Sequence, residues 1–241
     1  MDLGIKGKRA FVMGGSSGIG LGIAQALIKE GARVATCAQN PEKLERSAQE
    51  IGAEATEIAD LYQPDQAAGA VLAVRDKWGG IDILVTHNGG PPKGKFQDLS
   101  KNDWQRGFDG LWQSVIESIQ VVLPGMRERK WGRIILVTSI AAKEPLPGLP
   151  VSSGIRAGLL GLARSLSDEV AQDGVTVNAI LPGYTVTQEM CPNEGLIAKI
   201  PAGRFGSAKD QGSLAAFLAS DSAAYISGQS IACDGGYLRG Y

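Results

Sequence analysis

The sequence predicts an α/β protein whose doubly wound, mostly parallel sheet has about seven strands flanked by helices. Three observations carry this. Apolar runs of strand length alternate with longer helical patterns along all 241 residues. The first such run breaks into a glycine-rich loop that opens a helix. No linker-like stretch divides the chain, so residues 1–241 read as one domain. Strands joined by helical crossovers lie parallel, with helices on both faces, and such sheets bind ligands beyond the carboxyl ends of their strands.

The elements follow in order. Residues 10–13 form a short buried-strand run ending at Gly14. The helical pattern over 19–30 places Ile19, Ile23, Ala26 and Leu27 on one face, and Gly31 closes it. Residues 33–37 read as the second strand, and 41–51 as a helix with Pro41 in its first turn. A weaker strand at 54–58 precedes a helix at 64–78, and 81–85 is the fourth strand. The longest predicted helix spans 100–129, with Ser100 as cap and Asp103 near the positive end of the dipole. Its apolar residues, Trp104 through Val122, recur every three or four positions. Strands at 134–138, 175–181 and 231–233 and helices at 158–170 and 208–220 complete the pattern.

The bulk composition excludes several classes. Hydrophobic residues make up 44% and charged residues 20%, with a net charge of -1, as in ordinary globular proteins. Near-neutrality gives no support to nucleic-acid binding. Cys37, Cys191 and Cys233 are scattered, which argues against a disulfide framework or a metal site. The charged, glycine-containing first residues predict no signal peptide, and no apolar run approaches the ~20 residues that span a bilayer. The expectation is a cytoplasmic protein without membrane, metal or nucleic-acid partners.

The chemistry begins at Gly14-Gly15-Ser16-Ser17-Gly18-Ile19-Gly20, between the first strand and first helix. A diphosphate there meets unpaired backbone N–H groups and the positive end of a helix dipole. Glycine allows a tight turn and close backbone approach. No Gly-Lys-Ser ending follows, so a nucleoside-triphosphate loop is not expected. The reading is a Rossmann-type site for a nicotinamide dinucleotide.

Gly14, Gly18 and Gly20 are spaced Gly-x-x-x-Gly-x-Gly. Asp60 follows the third strand, Asn88-Gly89-Gly90 the fourth, and Ser139 the fifth. Pro182-Gly183 with Thr187 follows the sixth, and Ser227-Gly228-Gln229 leads to Asp234-Gly235-Gly236. In this order the motifs resemble those of short-chain dehydrogenases/reductases almost from end to end. The resemblance implies cofactor contacts from Gly14, Ser16, Ser17, Gly18, Ile19 and Gly20, then Gln39, Asp60 and Leu61 on the adenosine side. Asn88, Gly89 and Gly90 would approach the ribose, and Pro182, Gly183, Thr185 and Thr187 the nicotinamide carboxamide. Asp60 has a helix-capping alternative, and Asn88 a purely structural one. The family's frequent assembly implies a homo-oligomer, a tetramer, acting on a small-molecule substrate.

Two departures matter. After the second strand, Cys37-Ala38-Gln39-Asn40 holds no carboxylate to select NAD through the adenosine 2′-hydroxyl, nor an arginine for a 2′-phosphate. The cofactor is NADP or NAD, with a weak lean to NADP. Second, aligning residues 156–162 with the family's lysine-bearing helix puts Arg156 at the lysine position, Ser152 at the tyrosine position and Ser139 at the serine. Leu111 falls where the family has asparagine. A serine hydroxyl is a far weaker acid than a tuned phenol, and a tuned acid contributes roughly 10²–10⁴-fold to a rate. The guanidinium of Arg156 stays protonated, so it cannot relay protons, but it can donate to ribose hydroxyls or a substrate anion. Tyr184, Lys143 and His87 are the nearby candidates to take the relay's place; Tyr184 has a packing alternative, and Lys143 has a solvated one or a role in binding a substrate carboxylate. His87, the single histidine, reads as structural.

The expected function is therefore an NAD(P)-dependent oxidoreductase acting on a small carbonyl, alcohol or enone with a non-standard proton donor. The alternatives are a cofactor-binding regulatory or structural protein without turnover, and a non-redox lyase or isomerase.

Overall fold

The structure is a computed structural model and describes residues 2–187 and 190–240. Its seven strands are β1 (Arg9–Met13), β2 (Arg33–Ala38), β3 (Ala55–Ile58), β4 (Ile83–Thr86), β5 (Gly132–Val137), β6 (Val175–Pro182) and β7 (Ser230–Cys233). They form one sheet in the order β3-β2-β1-β4-β5-β6-β7, parallel at every pairing. The order reverses between β1 and β4, which opens a crevice at their carboxyl ends, where such sheets bind ligands.

Among the described residues eight α-helices run between them: α1 (Gly18–Lys29), α2 (Pro41–Ile51), α3 (Gln66–Trp78), α4 (Lys101–Phe108), α5 (Ser114–Glu128), α6 (Pro150–Val170), α7 (Glu194–Ile197) and α8 (Ala208–Leu218). The central strands are apolar on both faces because helices cover both. Phe11, Met13, Leu84, Ile134 and Leu136 pack with α3, α5 and α6 through residues such as Val74, Val115, Ile119 and Leu159. Their strand neighbours Val12, Ile83, Val85 and Ile135 point the other way, onto Ile23 and Leu27 of α1 and Leu218 of α8. No helix among the described residues is long and apolar enough to cross a membrane.

Two elements differ from the periodicity. The helix predicted over 100–129 is capped as foreseen, Asp103 N donating to Ser100 Oγ at 3.2 Å and Ser100 N to Asp103 Oδ2 at 2.9 Å. It is interrupted, however, by a π-helical turn at Asp109–Gln113. Gly110 O is drawn out of the ladder there, accepting from Asn88 Nδ2 and, at 2.5 Å, from Ser114 Oγ. Second, α6 begins at Pro150 rather than 158. Pro150 opens the helix and Val151 packs on α4, where a β-carbon at Gly107 would lie 2.2 Å from Val151 Cγ1. The eight added residues carry Ser152 and Arg156 onto a buried helical face.

Candidate active site

The loop between β1 and α1 is shaped by close approach. Gly14 turns with φ +64°, and a β-carbon on Gly20 would lie 2.2 Å from Gly14 O. Ser17 is extended (φ -166°) and its side chain does not cap α1, whose first turn carries no acidic residue. The first-turn amides therefore meet the groove without a side-chain acceptor, the arrangement that fits a diphosphate.

From this loop a groove runs along the carboxyl ends of the strands. Towards β2 and β3 it is lined by Gln39, Asn40, Lys43, Asp60, Leu61 and Tyr62. Asp60 Oδ1 accepts from Tyr62 N at 3.0 Å, and Asp60 N donates to Gln66 Oε1 at 2.8 Å, which fixes this loop ahead of α3. Asn40 caps α2 by accepting from Lys43 N at 2.8 Å and so places the Lys43 side chain one turn into the helix at the groove. Lys43 lies beyond the residues directly after β2 in which the sequence motif is sought, and only the turn into α2 brings it to the groove.

Ile19, His87, Asn88, Gly90 and Thr187 line both this stretch and a second cavity beyond it, so the two are continuous. Asn88 joins β4 to the π-helical turn, its Nδ2 donating to Gly110 O and its Oδ1 accepting from Gly89 N at 2.9 Å. Gly89 O accepts from Tyr62 Oη at 3.0 Å. His87 is half-buried, but its Nδ1 is shielded from solvent and lacks a partner, and a β-carbon on Gly14 would lie 2.8 Å from it. Burial, with the positive charge of Arg156, pushes the imidazole pKa down to about 4 and keeps the ring neutral.

The second cavity brings together Ser139, Ser152, Arg156, Pro182, Gly183, Tyr184, Thr185 and Thr187. Ser139 Oγ accepts from Ala141 N at 3.1 Å, which leaves its proton to donate. Thr185 Oγ1 donates to Gly183 O at 3.1 Å and receives Gln211 Nε2 at 3.4 Å, and Gly183 N donates to Cys233 O at 3.1 Å. These bonds tie the loop after β6 to α8 and β7.

Arg156 is 7% exposed. Its Nη1 donates to Val137 O at 3.1 Å and Thr138 O at 2.7 Å, and Nη2 reaches Gly89 O at 3.5 Å, while Nε is buried without a partner. It bridges the ends of β4 and β5 at the cavity floor. Burial lowers its pKa to about 10, so the guanidinium remains charged at neutral pH. Leu111 is buried in the π-helical turn. Tyr184 packs against Phe205 and Tyr237, with ring centroids 5.7 and 5.2 Å away. Desolvation and the Tyr237 hydroxyl raise its phenol pKa, opposite to the tuning an acid catalyst needs. Lys143 stands apart, its Nζ donating to Ser230 O at 3.4 Å.

Residues 14–238 match the family profile described as enoyl-(acyl carrier protein) reductase. The chain is 31% identical over 240 residues to the 3-oxoacyl-(acyl-carrier-protein) reductase FabG of Salmonella typhimurium, covering 97% of this chain and 98% of that protein. It is also 31% identical over 253 residues to a D-beta-hydroxybutyrate dehydrogenase of Rhizobium meliloti, covering 95% and 98%. The solved structure of L-sorbose reductase from Gluconobacter frateurii, complexed with NADPH and L-sorbose, superposes with a TM-score of 0.93 at 31% identity over all of both chains. Strand order, glycine loop and relatives agree: the chain belongs to the short-chain dehydrogenase/reductase family of oxidoreductase enzymes.

Proposed function

We propose that the chain is an NAD(P)-dependent reductase, with NADPH the favoured cofactor, that acts on a small carbonyl or enone without the family's tyrosine–lysine pair. The observation that carries this is the pairing on α6: Ser152 and Arg156, one turn apart, line the cavity that continues from the phosphate loop. The relative solved with NADPH supports the cofactor reading. So does the adenosine end of the groove, where Gln39 and Asn40 present no carboxylate and Lys43 presents a cation towards which a 2′-phosphate would be drawn.

Bound there, the reduced nicotinamide supplies a hydride. Ser139 and Ser152 would hydrogen-bond the substrate oxygen, while the charge of Arg156 stabilises negative charge growing on it. Reduction of a conjugated double bond suits these groups best. In such a reduction Ser139, Ser152 and Arg156 would hold the oxygen on which negative charge develops, and the α-carbon would take its proton from solvent. No acid tuned like the missing phenol is then required. In this reading the whole chain works as one dinucleotide-binding domain, assembles as a homotetramer and resides in the cytoplasm.

A second reading, binding without turnover, draws on Arg156 Nη1 being held by two backbone carbonyls and on the raised pKa of Tyr184. The lyase or isomerase reading lacks a strong base: no carboxylate lines the inner cavity among the described residues, and His87 is held far below its ordinary basicity.

The test is a fluorescence titration with NADPH and NADH, followed by nicotinamide absorbance with ketones, quinones and enones. Turnover of enones ahead of matched ketones supports the proposal. Tight binding without any turnover favours the second reading, and no binding rejects both. Arg156→Ala is expected to weaken NADPH affinity, and unchanged affinity would remove Arg156 from the nucleotide site.

A further inference from the structure

We propose that the inner cavity is built for an anionic substrate, an apolar body carrying a carboxylate, whose charge is met by Arg156 and Lys93. This rests on the reductase reading above and names the substrate class for that site.

The charge of the cavity is one-sided. Arg156 forms part of its floor and Lys93 part of its rim, and no aspartate or glutamate lines it among the described residues. Neither cation has an ion-pair partner among those residues. Among the described residues, two acids of the neighbouring loops are engaged elsewhere. Glu144 accepts from the amides of Arg239 and Gly240, and Asp234 from those of Gly236 and Leu238.

Taking a cation out of water without a counter-charge is costly, and the three backbone carbonyls that Arg156 reaches offset only part of that. A buried Nε with no acceptor marks the remainder. An anion entering the cavity would recover it at short range and low dielectric. The nucleotide's own diphosphate belongs at the far end of the groove, at the start of α1, so it does not supply this charge.

Lys93 adds a second cation at the mouth. Its chain passes over Gly90, with Cε 3.8 Å from where a β-carbon would stand, and its side chain is exposed at the mouth. Part of the remaining wall is aliphatic, from Ile140, Leu146, Leu149 and Met190, beside the hydroxyls of Ser139 and Ser152. Cations at floor and rim with this aliphatic stretch between them fit an unsaturated oxo acid better than a neutral ketone.

The probes are 2-oxo-4-phenylbut-3-enoate and its methyl ester, which share a body and differ in charge. Binding of each is measured by calorimetry, to the free protein and to its NADP⁺ complex, where no reduction can occur. The acid is expected to bind at least about tenfold more tightly than the ester, or ~1.4 kcal/mol. In Lys93→Gln that ratio should fall at least threefold, and in Lys93→Arg it should persist. Lys93 is exposed, so neither change disturbs the core. Equal affinity for acid and ester, or a ratio untouched by Lys93→Gln, overturns the proposal. If the nucleotide binds and the preference is absent, only this inference fails. If the nucleotide does not bind while the free protein still prefers the acid, the reductase reading fails and the anion site stands.

Discussion

The neutral, solvent-shielded nitrogen of His87 makes a prediction about stability against pH. Burial and the Arg156 charge place the folded pKa at about 4, below the ordinary value of 6.5. The unfolded chain therefore takes up this proton first. The stabilisation is complete above about pH 6.5 and drains away as pH falls towards 4. At about pH 5 the unfolded state gains a factor of about 30 from protonation, while the folded state gains almost nothing. The loss relative to about pH 7.5 is then about 2 kcal/mol. This is an upper value, because one edge of the ring faces the groove and keeps some solvent. The chain has no other histidine, and carboxylates titrate mainly below this window, so the slope belongs to one residue. The assay is urea unfolding followed by tryptophan fluorescence at both pH values, at one protein concentration, for the natural chain and for His87→Asn. The variant is expected to lose most of the pH dependence whatever its absolute stability. If both proteins show the same slope, the imidazole is not held neutral and the account of its environment is wrong.

Three further outcomes follow from the same geometry. Gln39→Asp places a carboxylate directly after β2 and is expected to shift the NADPH-to-NADH affinity ratio about tenfold towards NADH in a fluorescence titration; an unchanged ratio would move the 2′ position away from this residue. Asn88→Ala removes the Nδ2 bond to Gly110 O, which keeps its bond from Ser114 Oγ, and the bond from Gly89 N, and should cost ~1 kcal/mol in denaturant unfolding, whereas an unaltered midpoint would show that the clasp carries no stability. In the proposed reading, where Arg156 and Leu111 also stand at relay positions, Ser152→Tyr alone is expected to leave ketone reduction weak; robust ketone turnover by that single variant would defeat that reading.

The strand–helix alternation, the parallel sheet, the glycine loop and the capping of α4 were legible in the sequence because each is a local property. A two- or 3.6-residue periodicity, or a serine three residues before an aspartate, is set by neighbours along the chain. The position of the loop candidates beyond the strands' carboxyl ends was legible because the alternation of strands and helices forces those loops to one edge, whereas Arg156 lies on a helix. The π-helical turn was not, since Asn88 and Tyr62, both distant in sequence, crowd Gly110. Neither was the early start of α6, where Val151 docks against Gly107. Only tertiary structure could show that Arg156 is sealed among carbonyls without an acid, or that Lys43 and Lys93 reach the two ends of one groove. Charge balance in a buried site depends on what other segments bring to it through space, and no local pattern records that.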